Sequence, residues 1–166
     1  MSCHCNHSTP TQEEPNCCCQ SGGSCRPAPL ELTEREADFL RGMAQIPLLP
    51  LTRFLMLSSQ EDDLESVGLS PVYLTDANES LDHIRETGAL LLSLEEKGLI
   101  TLDYDYPLEG YDYEVYRASS AYQLFVRTVQ EGGQQEGFLF DLPELELGSM
   151  ALTALGRSAI EQLDHI

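Results

Sequence analysis

Side chains that could bind a metal ion are concentrated at the start of this 166-residue chain. All six cysteines and two of the four histidines lie there, at Cys3, His4, Cys5, His7, Cys17, Cys18, Cys19 and Cys25. Thiolates bind soft and borderline ions such as zinc and copper(I), and imidazole nitrogens bind the same ions. These residue types therefore predict a metal site in this segment, with zinc or copper(I) as its ion.

The spacing of the cysteines indicates how such a site would be built. Alternate side chains of an extended segment share a face, so Cys3 and Cys5 form one Cys-x-Cys pair and Cys17 and Cys19 a second. Four sulfurs would complete a tetrahedral ion. The chain has no Cys-x-x-Cys, which excludes the usual zinc-ribbon and thioredoxin spacings. Two alternatives stay open: thiols that are merely oxidisable, and a disulfide or redox-sensing role.

Composition separates this segment from the rest of the chain. Small and polar residues surround the cysteines and bury too little apolar surface to order a chain, so we predict a flexible tail over residues 1–29. Pro27 and Pro29 mark its junction with the body. The whole chain is 42% hydrophobic, and residues 30–166 are long enough for one domain with a core of its own.

The charge of the chain is strongly negative. It has 9 lysines and arginines against 28 aspartates and glutamates, a net charge of -19, and Lys97 is its sole lysine. The tail holds one arginine and two glutamates, so a net charge of -18 falls on residues 30–166. Such a body repels phosphate backbones and anionic lipid. With no apolar run of the roughly 18 residues that span a bilayer and no signal-peptide pattern, we expect a cytoplasmic protein without membrane contact.

Apolar spacing predicts four helices in the body. Thr33 and Glu36 are placed as a capping box at the start of the first helix. Gly98 occupies the C′ position after the clearest amphipathic helix, which Asp76 or Asn78 precedes as a turn or N-cap residue. A strand remains an alternative for the third segment. The predicted helices cover residues 30–45, 79–97, 118–130 and the segment after an N-cap at Thr153.

The other segments are shorter or less regular. We predict a buried helix or connector over residues 48–57 and an acidic, solvated helix or loop over residues 58–66. Alternation of apolar and polar residues predicts a β-hairpin from two strands, 99–106 and 111–116, joined by a turn at 107–110. Further strands are predicted at residues 72–74 and at 138–142, the latter continuing through Leu145 and Leu147.

Two short segments resemble winged-helix regulators. Residues 91–100, LLSLEEKGLI, look like the junction between the recognition helix and the first wing strand, and residues 150–159, MALTALGRSA, are similar to the entry to the following helix. The resemblance implies an α+β, winged-helix-like fold of several helices with a β-hairpin wing. It also implies DNA contacts on the helix 79–97 and on the wing 103–114. Winged-helix proteins are commonly dimers, which leaves a homodimer open, although no long heptad pattern supports one.

Both surfaces that this resemblance would place on DNA are acidic. The helix 79–97 has five acidic residues against Arg85 and Lys97, and the wing has no basic residue beside its acids, Asp103, Asp105, Glu109, Asp112 and Glu114. A DNA reader gathers lysine and arginine on such surfaces. We therefore predict that the domain binds a protein partner, or works in a complex whose other member holds the DNA. A direct DNA-binding regulator stays as an alternative.

Five of the seven tyrosines lie between residues 104 and 116, interleaved with these acids. On a hairpin they would share a face. One interpretation is that they pack on the core while the acids are solvated. The other is a docking surface for a basic partner, since tyrosine is a common interface anchor and acidic groups speed association. The docking residues would then be Tyr104, Tyr106, Tyr111 and Tyr113.

No catalytic motif is recognisable in the chain. It has no nucleophile elbow, phosphate loop, dinucleotide fingerprint or His-Glu-x-x-His. The pair Asp103 and Asp105 is too common a pattern to indicate a metal site, and His83 is expected to be structural. We therefore expect a non-enzymatic regulatory or adaptor protein whose thiol-rich tail binds or senses a soft metal. Two alternatives remain: an accessory protein that delivers or stores metal for a partner enzyme, and an enzyme whose site no motif reveals.

Overall fold

Four antiparallel strands and five helices form the part of the chain that this computed structural model describes, residues 30–165. The helices are α1 (Glu34–Gln45), α2 (Leu81–Glu96), α3 (Glu114–Arg117), α4 (Ser120–Gly133) and α5 (Ala154–Asp164). The strands are β1 (Leu48–Leu57), β2 (Glu65–Val72), β3 (Ile100–Asp103) and β4 (Leu142–Leu152). The predicted α+β class is confirmed. None of the described helices combines the length and the apolar character needed to cross a membrane.

The sheet has the strand order β2-β1-β4-β3, with β1 and β4 as its long central pair. Its two faces carry separate apolar clusters, because alternate residues of a strand face opposite sides. Met150 of β4 belongs to a cluster with Leu91 of α2 and Ile160 of α5. Leu147, three residues earlier in the same strand, packs with a second cluster around Phe54. The middle of β1 and the second half of β4 are therefore covered on both sides.

This burial explains why the prediction for residues 48–57 was wrong. The segment forms β1, not a helix or connector, and Leu51, Phe54 and Leu55 are all buried. A strand covered on both faces has a continuous apolar run, which alternation does not reveal. Pro50 is tolerated because pairing with β2 begins at Thr52, so β1 has a strand on only one side at that point.

The predicted hairpin is also absent from the described residues. The strand β3 does form, but residues 111–113 have no regular secondary structure, residues 114–116 belong to α3, and β3 pairs with β4. Tyr111 and Tyr113 alternate with acids as strand residues would, yet Tyr113 has a left-handed backbone with φ of 55°. Tyr113 and Tyr116, three residues apart, are both buried. The wing expected at residues 103–114 is therefore a loop.

The helix predictions depended on local signals and are largely confirmed. The capping box at α1, the left-handed Gly98 after α2, the Thr153 cap of α5 and the helical α4 are all present. The N-cap of α2 is Ser80, not Asp76 or Asn78. Two strand boundaries also differ from prediction: β2 ends at Val72, where a strand was expected to begin, and β4 begins at Leu142.

One buried carboxylate connects α1 to α2. Glu36 completes the capping box and also accepts hydrogen bonds from Ser93 Oγ and Lys97 Nζ, each at 2.7 Å. Burial alone would raise the pKa of Glu36, but the hydrogen bonds from Lys97, Ser93 and the backbone of Thr33 outweigh it and hold that pKa below its ordinary value. The sole lysine of the chain is therefore bound to a buried acid.

Replacing Lys97 with methionine should destabilise the fold, because Glu36 would stay buried without its charged donor. We expect Lys97→Met to lower the free energy of unfolding by about 2 kcal/mol at pH 7, measured by urea titration. Arg41→Met is the matched control, since Arg41 pairs with Asp38 on the exposed surface of α1. Its cost should stay below about 0.5 kcal/mol.

The cost of Lys97→Met should depend on pH. Since the pKa of Glu36 is lower in the folded than in the unfolded protein, its stabilising contribution is complete above the ordinary value of about 4.5 and is lost as the pH falls through the folded pKa. The difference between wild type and variant should therefore shrink as the pH falls below that value. An equal difference at pH 7 and at the lowest pH where both proteins fold would contradict this role for Glu36.

Candidate functional site

The predicted metal ligands and the predicted docking residues fall in different parts of the chain. The eight cysteines and histidines from Cys3 to Cys25 lie outside the described residues. Within residues 30–165, no three histidine, cysteine, aspartate or glutamate side chains come close enough to hold a metal ion, so Asp103 and Asp105 do not form part of such a group. His83 is exposed on α2.

The loop after β3 crosses β4 at Gly148, and this crossing positions the tyrosines. A Cβ at Gly148 would overlap the carbonyl oxygen of Asp103 and lie 2.9 Å from Cα of Tyr104. Beside it, Ser149 Oγ donates a 2.6 Å hydrogen bond to the carbonyl oxygen of Tyr106. The glycine thus lets two backbones touch, and the neighbouring serine holds the loop there.

Tyr113 is a buried support of this loop, so its prediction as a docking residue is wrong. Its side chain is only 1% exposed. The hydroxyl donates a 2.7 Å hydrogen bond to the carbonyl oxygen of Gly148 and accepts one of 2.7 Å from the N–H of Leu108. Neither bond could be replaced by a partner without opening the loop. Tyr116 is likewise buried, and burial raises its pKa far above the ordinary value.

Tyr104 is held in a polar row across the sheet. Its ring centroid lies 4.5 Å from the guanidinium carbon of Arg53, which forms an ion pair with Glu146, and its hydroxyl lies 2.9 Å from Ser70 Oγ. The hydrogen bond to Glu146 raises the pKa of Arg53, and burial raises that of Tyr104. Because these groups already bind one another, the row stabilises the sheet, and the partly buried Tyr104 has both its ring and its hydroxyl in contacts within the domain.

Tyr106 and Tyr111 are the two predicted docking residues that reach the surface. Tyr106 is 70% exposed and Tyr111 37% exposed. Together with Leu108 and with Leu48, which is 51% exposed, they line a groove of about 510 Å³. We call this surface, Leu48, Tyr106, Leu108 and Tyr111, the tyrosine groove. Sequence reasoning missed Leu48, because residues 48–57 were expected to be buried.

Acidic groups without a basic partner lie in the same loop as the tyrosine groove: Glu109 lines it, and Asp105 and Asp112 are the chain neighbours of Tyr106 and Tyr111. Asp105, Glu109 and Asp112 are exposed, and within residues 30–165 none of them has a basic group within 4.0 Å. The nearby Arg117 donates to the backbone carbonyl of Asp112 instead of to a carboxylate. The groove therefore combines apolar and aromatic contact area with unpaired negative charge.

The surface of α2 carries little positive charge that a nucleic acid could use. Lys97, just past its end, is bound to the buried Glu36, and Arg85 is the one arginine of the helix. Exposed acids, among them Asp82 and Glu86, lie on the same helix. The charge pattern seen in the sequence thus persists on the folded surface.

The fold and these surfaces define a mixed α+β domain, and comparisons with known proteins do not narrow this class. No protein-family model matches the chain, and no curated protein matches it. One solved structure is similar, that of an uncharacterized protein from the hydrocarbon-degrading marine bacterium Alcanivorax borkumensis SK2. Its sequence is 17% identical, the match covers 81% of this chain and 87% of that one, and the TM-score is 0.44. A similarity this distant supports no assignment of fold family or function.

Replacing Tyr113 with phenylalanine tests its role as a support of the loop. The variant would leave the N–H of Leu108 and the carbonyl oxygen of Gly148 without their partner, so we expect a loss of about 2 kcal/mol in the free energy of unfolding. Tyr106→Phe is the matched control, because its exposed hydroxyl should contribute nothing measurable. Urea titration of both variants gives the comparison, and equal stabilities would contradict the assignment.

Proposed function

We propose that this protein is a non-enzymatic adaptor whose acidic domain binds a basic protein partner through the tyrosine groove. The observation that carries the proposal is the exposure of Tyr106 and Leu48 beside carboxylates that have no basic neighbour in the described residues. Aromatic side chains that become buried at an interface supply much of its binding energy. Surrounding charge of one sign attracts the opposite charge and speeds association.

We further propose that the domain is a variant winged helix in which β3 and β4 are the wing strands. Its support is that the two segments that resemble winged-helix regulators contact each other. Thr153 donates from its N–H to the carbonyl oxygen of Leu99 at 3.0 Å and from Oγ1 to that of Gly98 at 2.7 Å. A Cβ at Gly156 would overlap the carbonyl oxygen of Leu99. In this proposal α3 and α4 replace the wing tip, and regulation proceeds through protein contacts.

Removing the apolar contacts of the tyrosine groove should abolish partner binding without unfolding the domain. We expect the double variant Leu48→Ser/Tyr106→Ala to lose basic proteins that co-purify with the wild type from the native cell, as measured by quantitative mass spectrometry. The control Leu92→Ser/Leu155→Ala removes two leucines of similar exposure, 49% and 54%, from α2 and α5. It should retain those proteins.

Salt provides the second arm of this experiment. Because the proposed attraction acts between exposed charges, recovery of the partner should fall as ionic strength rises from about 0.05 M to about 0.3 M. A partner that the control variant loses equally, or one that is acidic, would contradict docking at the tyrosine groove. If the purified domain bound duplex DNA without any partner protein, that result would instead favour the alternative of a direct DNA-binding regulator.

We also propose that the cysteine-rich tail binds one soft metal ion, zinc or copper(I), through its two Cys-x-Cys pairs. Native mass spectrometry of the reduced full chain, purified without tag or chelator, should then show the added mass of one ion. Replacing the four paired cysteines, Cys3, Cys5, Cys17 and Cys19, with serine should remove it. The control variant Cys18→Ser/Cys25→Ser should keep it.

Failure of the reduced chain to take up added Zn²⁺ or Cu⁺ would contradict the metal proposal and leave docking unaffected. Transfer of the bound ion to a metal-free acceptor protein would favour the alternative role in metal delivery.

A further inference from the structure

A second groove lies between α2 and α4, on the face of the sheet that carries Phe54. It is lined by Leu81 and Arg85 from α2, by Leu124 and Phe125 from α4 and by residues of β1 and β2, and it has a volume of about 200 Å³. We call it the α2–α4 groove. It shares no residue with the tyrosine groove.

The floor of this groove is built from packed aromatic rings. The ring centroids of Phe54 and Phe125 are 5.3 Å apart, and Phe125 lies so close to Gly68 that a Cβ there would overlap its ring. Phe54 is buried, and Leu69 packs against the same cluster. The floor is therefore formed before any ligand arrives, which lowers the entropy lost on binding.

Arg85 supplies positive charge at this otherwise apolar site. Within residues 30–165, no carboxylate lies within 4.0 Å of its guanidinium. The same is true of Arg117, Arg127 and Arg157, but Arg85 is the one arginine among the described residues that lines this groove. The neighbouring Glu86 binds Arg35 at 3.5 Å. On a strongly acidic domain, an unpaired arginine beside an apolar groove is the reverse of the general charge pattern.

The other polar side chain that lines the groove, Thr128, already has a hydrogen-bond partner. Thr128 Oγ1 donates a 2.8 Å hydrogen bond to the carbonyl oxygen of Leu124 in its own helix. Arg85 is therefore the group that would select the ligand, and the charge that complements it is an anion.

Size limits the apolar part of that ligand. A buried cavity of about 150 Å³ lined by aliphatic and aromatic side chains is enough to hold benzene. A groove of about 200 Å³ therefore accepts one ring with a short linker, or a short alkyl chain. From the apolar floor, the size and the unpaired arginine, we propose that the α2–α4 groove binds a small monocarboxylate with an apolar body, its carboxylate contacting Arg85.

The test uses the full chain labelled with ¹⁵N and titrated with 3-phenylpropanoate, followed by amide chemical shifts. We expect saturable shifts at groove residues such as Gly68, Leu81 and Phe125. The neutral amide of the same shape should bind about tenfold more weakly, because it lacks the charge that Arg85 selects. Acetate, which lacks the apolar body, should also bind at least about tenfold more weakly, since it leaves the aromatic floor empty.

Two variants distinguish the effect of the Arg85 charge from the effect of removing any positive charge from the domain. Arg85→Gln should weaken 3-phenylpropanoate binding about tenfold and leave the amide unaffected. Arg127→Gln is the matched control, because Arg127 is exposed on α4 and does not line the groove. Both substitutions are at the surface, so thermal unfolding should be unchanged.

Three outcomes would overturn the proposal. They are no shifts in the groove at millimolar 3-phenylpropanoate, equal binding to Arg85→Gln and Arg127→Gln, and equal affinity for acid and amide. The last would make the groove a purely apolar binding surface. None of these outcomes bears on docking at the tyrosine groove.

Discussion

The close contact of two backbones at Gly148 determines the geometry of the loop between β3 and α3. Because Gly148 has no side chain, the chain leaving β3 can pass directly over β4, which brings Tyr104 above Arg53 and places the carbonyl oxygen of Gly148 within reach of Tyr113. The ring of Tyr104 and the hydroxyl of Tyr113 then hold opposite ends of the loop. The exposed tyrosines lie between these two supports. A side chain at position 148 would separate the strands and remove both.

The parts of the fold that the sequence predicted well are those specified by neighbouring residues. A capping box at Thr33, a glycine at position 98 and a threonine cap at position 153 act over one helical turn, so each helix end could be recognised. The partner of β3 could not be recognised in this way. That partner is β4, which begins about forty residues after β3 ends. The nearer tyrosine-rich segment has the alternating pattern of a strand but does not form one. The class of the fold was therefore predictable, and its strand pairing was not.

The candidate site was predictable in composition but not in geometry. Sequence alternation grouped Tyr104, Tyr106, Tyr111 and Tyr113 on one face, whereas the loop divides them into two supports and two exposed residues. The acidity of the same segment persists, because the described residues provide no ion pair for its carboxylates. The leucine that completes the groove, Leu48, belongs to a strand far away in sequence. Only the folded chain brings it beside Tyr106.

The left-handed backbone of Tyr113 has a consequence for recognition. A non-glycine residue with φ of 55° is held in a conformation that costs about 1 kcal/mol or more, and it persists because the buried phenol and its two hydrogen bonds favour it. The loop is therefore ordered as the domain folds. A ligand that meets Tyr106 and Tyr111 encounters a loop backbone already in position, held at Tyr106 by Ser149, so less conformational entropy remains to be lost at the moment of contact. Such a surface discriminates by shape, and it should dissociate slowly from a partner that fits.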